Sequence, residues 1–189
     1  ETDFVARNAD FKSFVGEVAR QVAEQAPADV AALLAQPYST RPEITVEQLL
    51  GETVTKLGEN MGIARFVRFE RGTSAGRIAA YIHGIGNIGV LVELGADSDA
   101  AAASSLIAGL GKDVAMQVAA ASPIAVRRDE VPADVVEHEL AIYKAQAAET
   151  GKPEPIQEKI AQGRLEKYFK EFCLLEQPFV KNPDVTVGR

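Results

Sequence analysis

The sequence predicts an α+β fold: two similar subdomains with small antiparallel sheets packed by helices, plus an antiparallel helical (coiled-coil) hairpin projecting from the second. Three observations predict it. The hydrophobic period changes from helical to alternating near Ile63 and back to helical near Asp99. A heptad seam runs through residues 132–172 and is broken once, at Gly151–Pro155. A mixed polar and apolar pattern recurs in one register, Leu174 following Leu33 by 141 positions.

Residues 8–25 read as an amphipathic helix, with Phe11, Phe14, Val15, Val18 and Val22 on one stripe and Asn8 placed to cap it. A short helix covers Ala28 to Ala35. The next, over residues 45–60, opens on Thr45-Val46-Glu47-Gln48, which has the capping-box form. Val46, Leu49, Val54, Leu57 and Met61 supply its apolar face. Ile63 to Arg71, Arg77 to His83 and Ile88 to Leu94 are β-branched and aromatic with glycines between, and read as a three-stranded antiparallel meander. Helix returns over residues 99–120, with Leu106, Leu110, Val114 and Val118 along one line. Beyond it, Val136, Leu140, Tyr143 and Ala147 form the seam of one hairpin arm. Ile156, Ile160 and Gly163, then Leu165, Phe169 and Phe172, form two stripes on the other. Each arm is about 22 Å long at 1.5 Å per residue. Two ordinary core helices are the alternative, and the heptads are too few to exclude it.

The repeat is specific. Leu33-Leu34-Ala35-Gln36-Pro37-Tyr38 precedes Pro42-Glu43-Ile44-Thr45-Val46, and Leu174-Leu175-Glu176-Gln177-Pro178-Phe179 precedes Pro183-Asp184-Val185-Thr186-Val187. The matched positions divide the chain into an N-terminal core subdomain over residues 1–72, a C-terminal one over residues 73–131 and 173–189, and the hairpin, 132–172, inserted in the latter. The second copy stops at Arg189 and the chain opens on Glu1-Thr2-Asp3-Phe4, so the expectation is a core fragment cut at both ends.

The 189 residues carry a net charge of −7 and are 47% hydrophobic, enough for a real core. The acidic balance argues against direct nucleic-acid binding, which needs clustered Lys and Arg. No apolar run approaches the ~18 residues of a membrane span. The single cysteine, Cys173, excludes an internal disulfide and suits a reducing cytosol, so the expected location is cytoplasmic. Beside Leu174 and Leu175 it reads as a small buried hydrophobe.

Gly84-Ile85-Gly86-Asn87-Ile88-Gly89 matches a dinucleotide fingerprint and follows a strand, but the third glycine enters another strand where a helix is required. The hairpin-turn reading is preferred, and a nucleotide-binding enzyme using Gly84–Gly89 is the remote alternative. Gly109-Leu110-Gly111-Lys112-Asp113 lacks the Ser or Thr of a phosphate-binding loop. The histidines, His83 and His138, have no ligand-spaced partner, so neither a metal site nor a catalytic residue is expected. His83 is either a strand-end residue satisfied by the backbone or a contact residue; His138 reads as solvated. Asp3 and Phe4 stand just ahead of a capped helix. Either Phe4 packs into the core while Asp3 helps to cap, or the pair is presented on a tight corner.

Glu1-Thr2-Asp3-Phe4-Val5-Ala6-Arg7-Asn8 resembles the most characteristic signature of the elongation factor Ts family. Tyr81-Ile82-His83-Gly84 with Ile88-Gly89-Val90-Leu91-Val92 is similar to the family's second signature. Gly151-Lys152-Pro153, Glu158-Lys159-Ile160 and Gly163-Arg164 resemble its hairpin, and Gln177-Pro178-Phe179-Val180 the segment after it. The resemblance spans the chain in order. It implies a bacterial-type core without the family's N-terminal helical domain, a non-catalytic guanine nucleotide exchange factor that binds elongation factor Tu·GDP. It also implies that Asp3 and Phe4 enter the partner's G domain near the Mg²⁺ and phosphate site, with Thr2, Val5, His83 and Gly84 as further contacts. No cofactor of its own is implied. A structural dimerising module without exchange activity is the alternative, and a homodimer of the factor is left open.

Overall fold

The computed structural model describes residues 2–72, 75–84 and 86–189. The chain divides into two compact units, Glu1–Ser74 with Ile82–Ile88, and Ala75–Tyr81 with Gly89–Arg189.

The first unit opens with a single helical turn, α1 (Asp3–Ala6), and turns sharply into α2 (Ala9–Gln25). Asn8 caps α2 by accepting from Asp10 N–H at 2.7 Å. α3 (Val30–Ala35) is capped by Asp29, and β1 (Pro37–Tyr38) folds back on β2 (Arg41–Thr45). α4 (Val46–Leu57) carries both bonds of the capping box between Thr45 and Gln48, and it ends where Gly58 takes a left-handed φ of 70°. Phe14, Val22, Leu33, Tyr38, Val46 and Leu49 form the core, with Val18, Ile44, Ile63 and Phe66 packed against it.

Residues 60–72 are in neither helix nor strand, so the expected meander is a two-stranded hairpin, β3 (Gly76–His83) with β4 (Ile88–Gly95). The reason is visible in the side chains. Ile63 and Phe66 lie on the core, and Arg68 donates from Nε to the Ala23 carbonyl of α2 at 3.1 Å. A β-like composition reports fit to a half-buried surface. Here that surface is a helix face, and no ladder is needed.

In the second unit the single helix expected over residues 99–120 is two, α5 (Asp99–Ala102) and α6 (Ser105–Ala121). Ser98 caps the first and Ser104 the second, and a capping serine offers the backbone an alternative to continuous helix. The buried line of α6 is Gly111, Val114, Ala115 and Gln117; Leu106 and Leu110, expected on one line with Val114 and Val118, are 78% and 46% exposed. Gly111 is required by the close approach of β3: a Cβ there would stand 2.7 Å from the Ala79 Cβ.

Next come α7 (Ala133–Ala148) and α8 (Glu154–Phe172), with a left-handed Gly151 (φ 64°) between them. The two helices pack on each other. Val136, Leu140 and Tyr143 lie against a cluster containing Leu165 and Phe169, as their spacing predicts, and Ala147 is fully buried. The stripe Ile156-Ile160-Gly163 is not the packed face: Ile156 and Gly163 are exposed, and the buried residues are Ala161, Leu165 and Phe169. The excursion leaves and returns at adjacent points. Ile124 N–H donates to Phe172 O, Leu174 N–H to Ala125 O and Leu175 N–H to Val126 O, and Cys173 is fully buried there. β5 (Pro178–Phe179) and β6 (Asn182–Thr186) then pair in the register of β1 and β2: Pro178 faces Thr186 as Pro37 faces Thr45.

Buried amides tie each small ladder to its long helix. Gln21 of α2 donates from Nε2 to Gln36 Oε1 and Pro37 O, both at 3.1 Å, and its Oε1 accepts from Ser39 N–H. Gln117 of α6 donates to Gln177 Oε1 at 3.1 Å and Pro178 O at 3.3 Å, and accepts from Val180 N–H.

Candidate functional site

Thr2, Asp3, Phe4 and Val5 come together on the α1 turn. Thr2 is the N-cap, in extended conformation, and its hydroxyl oxygen accepts from Val5 N–H at 3.4 Å. The turn closes with Ala6 N–H donating to Thr2 O at 2.9 Å, and Asn8 N–H to Val5 O at 2.8 Å sets the corner into α2. Successive residues then face opposite ways. Val5 is buried at 5% exposure, whereas Phe4 is 83% exposed and Asp3 stands in solvent. The reading in which Phe4 packs into the core and Asp3 caps is therefore overturned: Val5 supplies the packing and Thr2 the cap.

A second contact fixes the turn. Thr2 donates from its backbone N–H to Glu59 Oε2 at 2.7 Å and from its hydroxyl to Glu59 Oε1 at 2.5 Å. The Thr2 hydroxyl holds the Glu59 carboxyl below its ordinary range, because a hydrogen bond to the charged form favours it. Glu59 directly follows Gly58, the residue that ends α4.

His83 and Gly84 lie at the tip of the β3–β4 hairpin, which is grouped with the first unit. His83 is exposed at the end of β3, and its carbonyl accepts from Gly86 N–H at 3.1 Å. Gly84 and Gly86 take φ of 60° and 103°, which a side chain would strain. Ile85 lies outside the described residues, as do Glu1, Thr73 and Ser74. Gly89 sits within β4 and opens no helix, so the Gly84–Gly89 dinucleotide reading fails on topology. Gly86 also borders an apolar groove of the same unit, lined by Phe11, Val15, Ala19 and the stretch from Met61 to Val67. Among the described residues no three His, Cys, Asp or Glu side chains gather as a metal site, and no helix is long and apolar enough to cross a membrane.

Two structural features escape the sequence reading. Glu59 is one, for nothing local marks a glutamate after a helix-ending glycine. The glutamine pairs are the other. Gln117 follows Gln21 by 96 positions whereas Gln177 follows Gln36 by 141, because α7 and α8 intervene in the second unit. A search at one offset sees half of the correspondence. The missing half was available in Thr2-Asp3 with Gln21-Val22-Ala23 against Ser98-Asp99 with Gln117-Val118-Ala119.

These features define an α+β protein that presents an aromatic side chain on a turn held from both sides. The family profile described as "Elongation factor TS" matches residues 1–189. The chain is 48% identical over 187 residues to "Elongation factor Ts" of Trichlorobacter lovleyi, covering 99% of this chain and 60% of that one. It is 48% identical over 187 residues to the protein of the same name from Clostridioides difficile, covering 99% and 59%, and 47% identical over 188 residues to that of Burkholderia multivorans, covering 99% and 58%. The chain belongs to the elongation factor Ts family. It spans about 60% of the length of these relatives.

Proposed function

We propose that this chain is the exchange-promoting core of a bacterial-type elongation factor Ts, and that it binds elongation factor Tu·GDP and accelerates GDP release. The observation that carries the reading is the exposure of Phe4 beside the buried Val5. A large apolar ring displayed in this way, on a turn anchored to the core, is equipped to enter a partner's pocket. Asp3, next to it, would bring a carboxylate toward the partner's Mg²⁺ and phosphate site, where it would disturb the metal and the N–H groups that hold phosphate. His83 and Gly84 would add contacts from the hairpin tip. No bond is made or broken in such a role. The factor weakens GDP, GDP weakens the factor equally, and GTP then displaces it.

In this reading the two units are two similar subdomains, α7 and α8 form a projecting coiled-coil hairpin, and the protein works in the cytoplasm without binding nucleic acid directly. The test is release of fluorescent GDP from elongation factor Tu. The chain should accelerate it severalfold or more. Release at the spontaneous rate, with a self-associated chain in the same sample, would favour the dimerising module.

A further inference from the structure

We infer that Glu59 is a positioning residue for Phe4, setting the angle at which the α1 turn presents its aromatic ring; this rests on the exchange reading above. The turn has two supports. Val5 is seated in the core on one side, and Thr2 is gripped by Glu59 on the other. Phe4 lies between them and is itself almost fully exposed. Val5 and the Asn8 corner hold the C-terminal side of the turn, and the Glu59 contact adds a hold on its N-terminal side.

Glu59 is built for this task by its place in the chain. It stands at the end of α4, whose last turn is closed by Gly58 N–H donating to Val54 O at 2.9 Å. α4 in turn is seated by Val46 and Leu49 in the core. The carboxylate therefore stands just beyond the closed end of a seated helix and reaches a residue 57 positions away in sequence. Both its oxygens are engaged, one by a backbone N–H and one by the threonine hydroxyl, a two-point grip that fixes direction as well as distance. A ring oriented before the encounter loses less freedom on binding, so the grip should act on exchange much more than on folding.

The experiment measures GDP release from the GTPase by the full protein carrying Glu59→Gln, Thr2→Val, Thr2→Ser or both Glu59→Gln and Thr2→Val, with Phe4→Ala as reference. Glu59→Gln and Thr2→Val should each slow exchange roughly fivefold to tenfold, with melting temperatures near that of the parent. Thr2→Ser keeps the hydroxyl and should lose less activity than Thr2→Val. The double variant should lose clearly less than the two single losses combined, because both changes act on one contact. Amide exchange at Val5 should quicken in Glu59→Gln. Glu59→Gln with full activity while Phe4→Ala is inactive would overturn the positioning role and leave the exchange reading standing. Additive losses in the double variant would also overturn it. A fully active Phe4→Ala would remove the exchange reading itself.

Discussion

Gln117 makes in the second unit the hydrogen bonds that Gln21 makes in the first. Each amide donates to a glutamine Oε1 and to the carbonyl of the following proline, and each accepts from a backbone N–H in the turn that joins the two strands of the small ladder. Both side chains are almost fully buried, at 2% and 1% exposure. A buried amide with all its partners fixes register as well as adding stability, since any slip would leave donors and acceptors unpaired.

Truncation of either glutamine tests this directly. Gln21→Ala orphans Gln36 Oε1 and the Ser39 N–H, and Gln117→Ala orphans Gln177 Oε1 and the Val180 N–H. Each should lower unfolding free energy by about 2 kcal/mol or more, read by urea denaturation. A loss below half that in either variant would mean that water replaces the amide.

The α1 turn separates packing from presentation in neighbouring residues. Phe4→Ala should reduce catalysed GDP release by tenfold or more, the cost of ~2 kcal/mol typical of an aromatic anchor, with the melting temperature of the free chain almost unchanged. Asp3→Ala should slow release, and Asp3→Asn should recover part of it, because the role assigned to Asp3 is one of charge. Val5→Ala should instead destabilise the chain by roughly 2 kcal/mol. A destabilised Phe4→Ala with normal exchange would reverse these assignments.

Gly111 is a helix-interior glycine, where alanine ordinarily adds ~1 kcal/mol of stability. Here the added methyl would meet the Ala79 Cβ at 2.7 Å and Leu94 Cδ1 at 3.4 Å. Gly111→Ala should therefore destabilise the protein, as overpacking does by ~1–3 kcal/mol. Ala79→Gly added to it should restore much of the loss. A more stable Gly111→Ala would show that the helix and hairpin can move apart.

Tyr143 gives a pH signature to the helical pair. Burial, then its hydrogen bond to Glu139, push its phenol up to about 12. The folded state thus favours the neutral form. Its contribution is complete below the ordinary value of 10.0 and is lost as pH rises toward 12. Tyrosinate absorbance should show one group titrating near the top of that range, and Tyr143→Phe should remove it. The variant should also lose less stability than the parent between those pH values.

Where the sequence carried local chemistry it was informative: the Thr45 capping box, the Asn8 cap and the seam from Val136 to Tyr143 all stand where spacing put them. It misled where a surface was matched without its usual partner, as in residues 63–71, where Ile63 and Phe66 pack on the core and Arg68 bonds the Ala23 carbonyl without a strand partner. It also misled where a capping serine split the single helix expected over residues 99–120, at Ser104. For the candidate site, the Thr2–Val5 motif was legible by resemblance, but local pattern favoured a buried Phe4. Which of two adjacent apolar residues turns inward depends on the corner set by Thr2 and Asn8. The Glu59 contact joins residues 57 positions apart, beyond the reach of any local rule.

The return of the chain at Cys173 to the point it left at Ile124 makes the helical pair a cassette. Its two ends are stitched side by side by the Ile124–Phe172 and Leu174–Ala125 bonds, so loop closure is already complete at its base, whatever lies beyond. A longer, shorter or foreign helical pair should therefore be accepted on the same base without the flanking segments having to spread. The first unit contains a working short version of the same passage: from Ala26 it reaches the position matching Cys173, Ala32, by way of a capped turn at Asp29 and no excursion.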